Sequence, residues 1–160
     1  MSYFREVQPL RQQRLFVVIL SVVAVIVLLS LLSSGASTPL GAVIALGSLG
    51  LVAALILAAS LETTVDRDVI TLAFHFLWPK RRIRISEVRK AEATKYSPLL
   101  DYGGYGVRLG FRGWAFNVRG DEGVFVETND GSRLMIGSQR PRELEAAIER
   151  AKREREGHPR

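Results

Sequence analysis

Few residues in this chain could do chemistry, and they are scattered. His75 and His158 are the only histidines and there is no cysteine, so disulfides, thiolate metal sites and cysteine nucleophiles are excluded. A zinc centre at His75 needs further nitrogen or carboxylate ligands at workable spacing. None flanks it, and it reads as a solvated strand histidine. Asp66 and Asp68 bracket Arg67, a pattern open to an acid pair or a cation site, but two carboxylates at a hairpin tip are turn formers first. Gly104-Tyr105-Gly106 has the look of a potassium-channel filter or a dinucleotide loop. A filter belongs at a membrane span, whereas this run lies about 40 residues beyond the last long apolar stretch; a dinucleotide loop opens a helix, whereas alternation follows here. No catalytic residue, metal ligand or cofactor is assigned, and the chain reads as non-enzymatic.

The basic stretch Trp78-Pro79-Lys80-Arg81-Arg82 is more informative. A strand of about 20 Å leaving an apolar segment, followed by a second returning strand, brings this turn back to a membrane surface. Tryptophan suits the headgroup region, and each nearby Lys or Arg is worth about 1 kcal/mol against an anionic leaflet. Trp78, Lys80, Arg81 and Arg82, with Arg11 and Arg14, are therefore the candidate membrane-surface contacts. The bland alternative is a solvated charge cluster.

The elements that must position them divide sharply. Residues 15–60 contain no Asp, Glu, Lys, Arg or His over 46 positions, which a soluble domain of this size almost never shows. The first apolar run, residues 15–33, and the second, 39–60, are separated by a turn rich in Ser, Gly and Pro. Together they predict a transmembrane helical hairpin, residues 15–60, preceded by a basic cytoplasmic N-terminus, residues 1–14. A signal peptide is the main rival: Arg11 and Arg14 resemble its basic region and Ser34-Gly35-Ala36 its cleavage site. Against it, the first run exceeds the usual apolar region of about 7 to 15 residues, and a second run follows at once. Positive charge near the ends of the runs places both termini in the cytoplasm. Gly50, Ala54 and Ala58, four apart, offer a small-residue seam for helix packing, either within the hairpin or between copies.

After residue 60 the pattern turns to alternation. Strands are expected over residues 61–65, 69–76, 82–85, 107–111, 114–118, 124–128 and 133–136, with 88–94 continuing the sheet. Ile70, Leu72, Phe74 and Phe76 share one face of the second of these, and Asn129-Asp130-Gly131-Ser132 is a strong hairpin turn. From Pro141 a helix sets Leu144, Ala147, Ile148 and Ala151 on one apolar face. The predicted fold class is an N-terminal two-helix transmembrane hairpin followed by an α+β domain, residues 61–156. That domain is a bent antiparallel sheet or barrel of about six or seven strands closed by the C-terminal helix, the plan of a pleckstrin-homology-like barrel. Residues 157–160 form a fraying tail.

The run Tyr102-Gly103-Gly104-Tyr105-Gly106-Val107-Arg108 carries a resemblance. So do Ala115, Asn117 and Gly120, Gly123-Val124, and Ile136-Gly137-Ser138 with Pro141 and Leu144. With the preceding Trp78-Pro79 and Ile83, Ile85 and Val88, they resemble small bacterial membrane-anchored proteins with a pleckstrin-homology-like domain. The resemblance implies a fold and a membrane location but no catalytic residues. Tyr102, Gly103, Gly104, Tyr105 and Gly106 are then a structural corner, where glycine permits positive φ, or a loop for a ligand or partner.

The formal net charge of +6 partitions into +2 before the apolar block (three Arg minus Glu6) and +4 after it (19 Lys+Arg minus 15 Asp+Glu). The final helix interleaves its Arg with Glu143, Glu145, Glu149, Glu154 and Glu156, a mixed face that phosphate does not favour, so nucleic acid is not an expected partner. Expected partners are membrane lipids, through anionic headgroups, and a protein partner or further copies of the chain. The leading expectation is a membrane anchor holding a cytoplasmic binding or scaffolding domain at the inner face of the membrane. The alternative is an accessory subunit of a larger membrane enzyme, transporter or secretion complex.

Overall fold

A computed structural model describes residues 2–12, 14–33, 39–76, 78–110 and 112–157. The turn expected at residues 34–38, His158 and the expected fraying at 158–160 lie outside the described residues. Two compact units emerge: Met1–Gln8 with Ser60–Arg160, and Pro9–Ala59.

The expected N-terminal two-helix transmembrane hairpin is not what the chain builds. It opens with a strand, β1 (Ser2–Pro9), which lies beside β2 (Ser60–Asp66) in the order β1-β2-β3-β4, with β3 at Val69–His75 and β4 at Arg81–Arg84. The helices α1 (Arg14–Ser33) and α2 (Pro39–Ala58) therefore interrupt a folded unit instead of preceding it. Among the described residues one helix, over Leu40–Ala58, is long and apolar enough to cross a membrane. Its 19 residues extend about 28 Å at 1.5 Å per residue. In α1 the apolar run found among the described residues is Phe16–Leu29. Two spans are not supported.

Within the helical unit, Phe16, Leu20, Ala24 and Val27 of α1 and Ala42, Ala45, Leu49, Ala53 and Ile56 of α2 are half-buried, while the residues between them are exposed. These spacings of three and four residues define one stripe on each helix. The Leu10 N–H donates to the Ala59 carbonyl at 2.9 Å, tying the two ends of this unit together.

The other unit holds two sheets. The second has the order β5-β8-β9-β7-β6, built from β5 (Val88–Lys95), β6 (Gly106–Gly110), β7 (Gly113–Asn117), β8 (Glu122–Thr128) and β9 (Arg133–Gly137). A short helix α3 (Pro98–Tyr102) precedes β6, and α4 (Pro141–Glu156) ends the described chain. The expectation of a single antiparallel sheet of six or seven strands is corrected as well. Nine strands form two sheets among the described residues, and β7 runs parallel to β9, pairing Trp114 with Leu134 and Phe116 with Ile136. The expected hairpin at Asn129–Ser132 does form, with β8 and β9 antiparallel from Glu127↔Arg133 to Gly123↔Gly137. The core contains Leu61, Val65, Ile70, Leu72, Phe116, Val124 and Ile136, and α4 buries the expected Leu144, Ala147, Ile148 and Ala151 against this unit.

The strand β1 ties the first residues to the last. Its alternation turns Phe4, Glu6 and Gln8 inward and leaves Arg5 and Val7 exposed. The Glu6 carboxylate accepts from Ser138 Oγ at 2.6 Å and from the Gln139 N–H at 2.9 Å, directly ahead of α4. Gln8 Nε2 donates to the Gly137 carbonyl at 2.9 Å, and the Arg140 guanidinium lies 4.9 Å from the Phe4 ring centre. Tyr3 donates to Glu154 Oε2, which holds the Glu154 carboxyl below its ordinary range. A buried hydrogen-bonding group left without its partner costs about 1–3 kcal/mol. Glu6→Ala should therefore lower the unfolding free energy of the folded unit, measured by urea denaturation, by about that much, and Glu6→Gln, which keeps one acceptor, should lose less. Equal losses in the two variants would count against this tie.

Candidate functional site

Local rules place the basic turn and then split it. Between β3 and β4 the chain leaves the extended conformation at Phe76, whose φ of 65° is rare for a bulky side chain. The strand ends one residue earlier than expected for this reason. Phe76 is 74% exposed instead of sharing the buried face of Ile70, Leu72 and Phe74. Trp78 is 49% exposed, and its ring centre stands 6.3 Å from that of Trp114 in β7. The Arg81 guanidinium lies 5.9 Å from the Trp114 ring centre, within cation–π range. Leu109 of β6, opposite Trp114 in the register, is 67% exposed.

This rim unites the expected Trp78 and Arg81 with two residues that sequence reading did not single out, Trp114 and Leu109. Lys80 sits on the same loop, exposed. Arg82 does not join them. Alternation in β4 sends Arg82 and Arg84 away from buried Ile83, and both line an open cleft with Asp66, Arg67, Asp68 and Lys152. Arg11 is exposed in the single 3-10 turn Leu10–Gln12 of the other unit, and the Arg14 side chain lies outside the described residues.

Charge sets the rim apart. From residue 69 to 86, and again from 102 to 120, the sequence has no Asp or Glu. Lys80, Arg81, Arg108 and Arg112 have no carboxylate within 4.0 Å among the described residues, whereas Arg89, Lys90, Lys95, Arg150 and Arg155 each have one. The Arg108 Nε donates to the Tyr105 carbonyl at 3.2 Å, and the Arg112 guanidinium covers the Phe125 ring at 5.8 Å.

The glycine–tyrosine loop behaves as a corner. Ser97 Oγ accepts from the Leu100 N–H at 3.3 Å to start α3, and Gly103, at φ 71°, ends it. Gly104 and Gly106 also have positive φ. Tyr102 is buried with its ring 5.8 Å from that of Tyr96, edge to face, and burial pushes both phenols above their ordinary range. The Gly106 N–H donates to Asn117 Oδ1 at 2.9 Å, locking the loop to β7. Tyr105 is half-buried and Gly103 exposed.

The remaining candidates fall elsewhere. Gly50 lines the crevice between α1 and α2, but a Cβ added there meets nothing within 4 Å, and Ala54 and Ala58 are exposed. The packing stripe of α2 is thus Ala42, Ala45, Leu49, Ala53 and Ile56, rotated away from the expected seam. His75 Nε2 lies 3.0 Å from Glu62 Oε2; that contact, with Arg5 Nε donating to Glu62 Oε1 at 2.8 Å, holds the Glu62 carboxyl below its ordinary range. Asp68 pairs with Arg155 at 3.6 Å. No group of three or more His, Asp or Glu suited to a metal ion occurs among the described residues. The chain matches no family model, no curated protein and no solved structure.

Proposed function

We propose that this protein is a membrane-anchored binding module, in which α2 fixes the chain in the cell membrane and the folded unit recognises a lipid or protein at the inner face. The observation that carries this reading is the Leu40–Ala58 helix, free of charge and with none of its apolar window buried within the protein. Exposing so much apolar surface to water is untenable for a soluble monomer, and a bilayer is the solvent that suits it. β1 and β2 are neighbours in one sheet, so the residues before and after the helical unit share one compartment, and the unit enters the bilayer and returns to the same face. Arg5, Arg11 and Arg14 on one side of the apolar block, and Arg67 and Lys80 to Arg82 on the other, favour the cytoplasm for that compartment. The resemblance carried by the glycine–aromatic run points the same way, to a membrane location.

The test is alkaline carbonate extraction of membranes containing the full chain, with protease protection. The protein should stay in the pellet with β1 and α4 shielded in right-side-out vesicles. Release into the supernatant sinks the anchor, and cleavage from outside sinks the orientation. Co-purification of a stoichiometric larger enzyme or transporter in mild detergent would replace the module by an accessory subunit.

A further inference from the structure

We infer that the rim formed by Trp78, Trp114 and Leu109, with Arg81 and the adjacent Phe76 and Lys80, docks on a bilayer surface carrying anionic headgroups. The inference rests on the reading of α2 as a membrane anchor and names a surface that this anchor leaves unassigned. Two loops distant in sequence, residues 76–80 and the β6–β7 hairpin, meet here through the paired indoles. Three large apolar side chains, Phe76, Trp78 and Leu109, stand half to three-quarters exposed on these two segments, and exposed apolar groups gathered in one place mark an interaction surface. Indoles partition to the headgroup boundary because the ring is apolar and its N–H needs a polar partner.

Charge selects the occupant. Both loops come from stretches without a carboxylate, so Lys80 and Arg81 present positive charge with no carboxylate within 4.0 Å among the described residues. Arg81 stacked on Trp114 keeps its guanidinium beside the ring that would enter the interface, a pairing that suits a lipid phosphate above an apolar boundary. An acidic peptide shares the charge but has no call for three exposed apolar side chains on two loop tips. A lipid surface satisfies both features at once. The strained Phe76 backbone then has a use, since it directs an aromatic ring outward where a continued strand would have buried it.

The chain has only two tryptophans, Trp78 and Trp114, so its intrinsic emission reports on this rim alone. The full chain is reconstituted in nanodiscs of phosphatidylcholine, or of phosphatidylcholine mixed with phosphatidylglycerol. Each disc contains lipid brominated near the headgroup end of the acyl chain. Emission should be quenched and blue-shifted in the anionic discs, much less so in the neutral ones, and recovered in high salt. In Lys80→Gln/Arg81→Gln the ratio of docked to undocked protein should fall roughly 30-fold, about five-fold per cation. Trp78→Phe and Trp114→Phe isolate the two loops, and the remaining indole must be quenched in each. Quenching that is absent, or equal in both lipids, overturns the docking. So does shielding of the indoles by an added acidic peptide in neutral discs. Carbonate extraction of the same samples separates the two readings, because a chain that stays embedded with unquenched tryptophans has lost its docking surface but kept its anchor.

Discussion

Gly113→Ala should be among the most damaging single-methyl changes available in this protein. Gly113 has φ +102°, a region an L side chain adopts only under strain, and a Cβ there would sit 2.2 Å from the Arg133 carbonyl oxygen and 2.9 Å from both the carbon and the Cβ of the same residue. The obstruction is backbone, so no rotamer change relieves it. Arg133 begins β9 and Gly113 begins β7, so the methyl would force apart the two strands that run parallel at the centre of the five-stranded sheet. Backbone strain of this kind costs about 1–3 kcal/mol, and the forced displacement adds to it. A total of about 4 kcal/mol or more is a large share of the roughly 5–15 kcal/mol that holds a domain together. Gly103→Ala is the matched control. Its φ is +71°, but a Cβ there meets nothing within 4 Å, so only the left-handed penalty of about 1–2 kcal/mol applies. Urea denaturation followed by tryptophan emission should separate the two variants by several tenths of molar in midpoint or more. Similar midpoints would mean that β7 and β9 do not approach as closely as Gly113 implies.

The damage at Gly113 would also reach the proposed docking rim, since Trp114 is the next residue and Leu109 is its cross-strand partner. That link was not legible in the sequence. Alternation around residues 107–111 and 114–118 located β6 and β7 to within a residue or so, but alternation says nothing of which distant loop a strand end will meet. The juxtaposition of Trp78 with Trp114 joins the β3–β4 connection of one sheet to β7 of the other, a contact between sheets that local pattern does not encode. Local pattern could not separate Arg81 from Arg82 either, until β4 was known to begin at Arg81 and so to fix which of the two faces the indole.

The first strand escaped notice for a related reason. Its inward face is Phe4, Glu6 and Gln8, so the polar residues are the buried ones and the usual apolar alternation is missing. Their partners, Ser138, Gln139 and Gly137, lie some 130 positions away. Where the signal was local, it held. The hairpin at Asn129–Ser132 and the apolar face of α4 follow from turn chemistry and helical spacing, and both formed as expected. The apolar block shows the opposite failure. Continuous hydrophobicity identified helices but could not reveal that β1 comes before them and shares a sheet with β2.

Ile44→Arg/Leu51→Arg is the change expected to act most strongly on location. The two positions are seven apart, two helical turns, and so lie on one face of α2. They are 63% and 62% exposed, and neither belongs to the half-buried stripe facing α1, so the helical pair has no packing reason to come apart. In a bilayer each arginine near the helix centre costs about 2.5–3.5 kcal/mol of insertion free energy, about 5–7 kcal/mol for the two. That corresponds to a loss of more than a thousand-fold in the ratio of inserted to non-inserted chain. The variant should leave the carbonate-resistant membrane fraction, while Ile44→Leu/Leu51→Val stays in it. The folded unit supplies the second reading: the Glu6 tie and the α4 face lie outside the helical unit, so its circular dichroism and urea midpoint should change little. If the arginine pair instead left the membrane fraction unchanged while lowering that midpoint, the exposed face of α2 would be packing against protein, and the helix would not be an anchor.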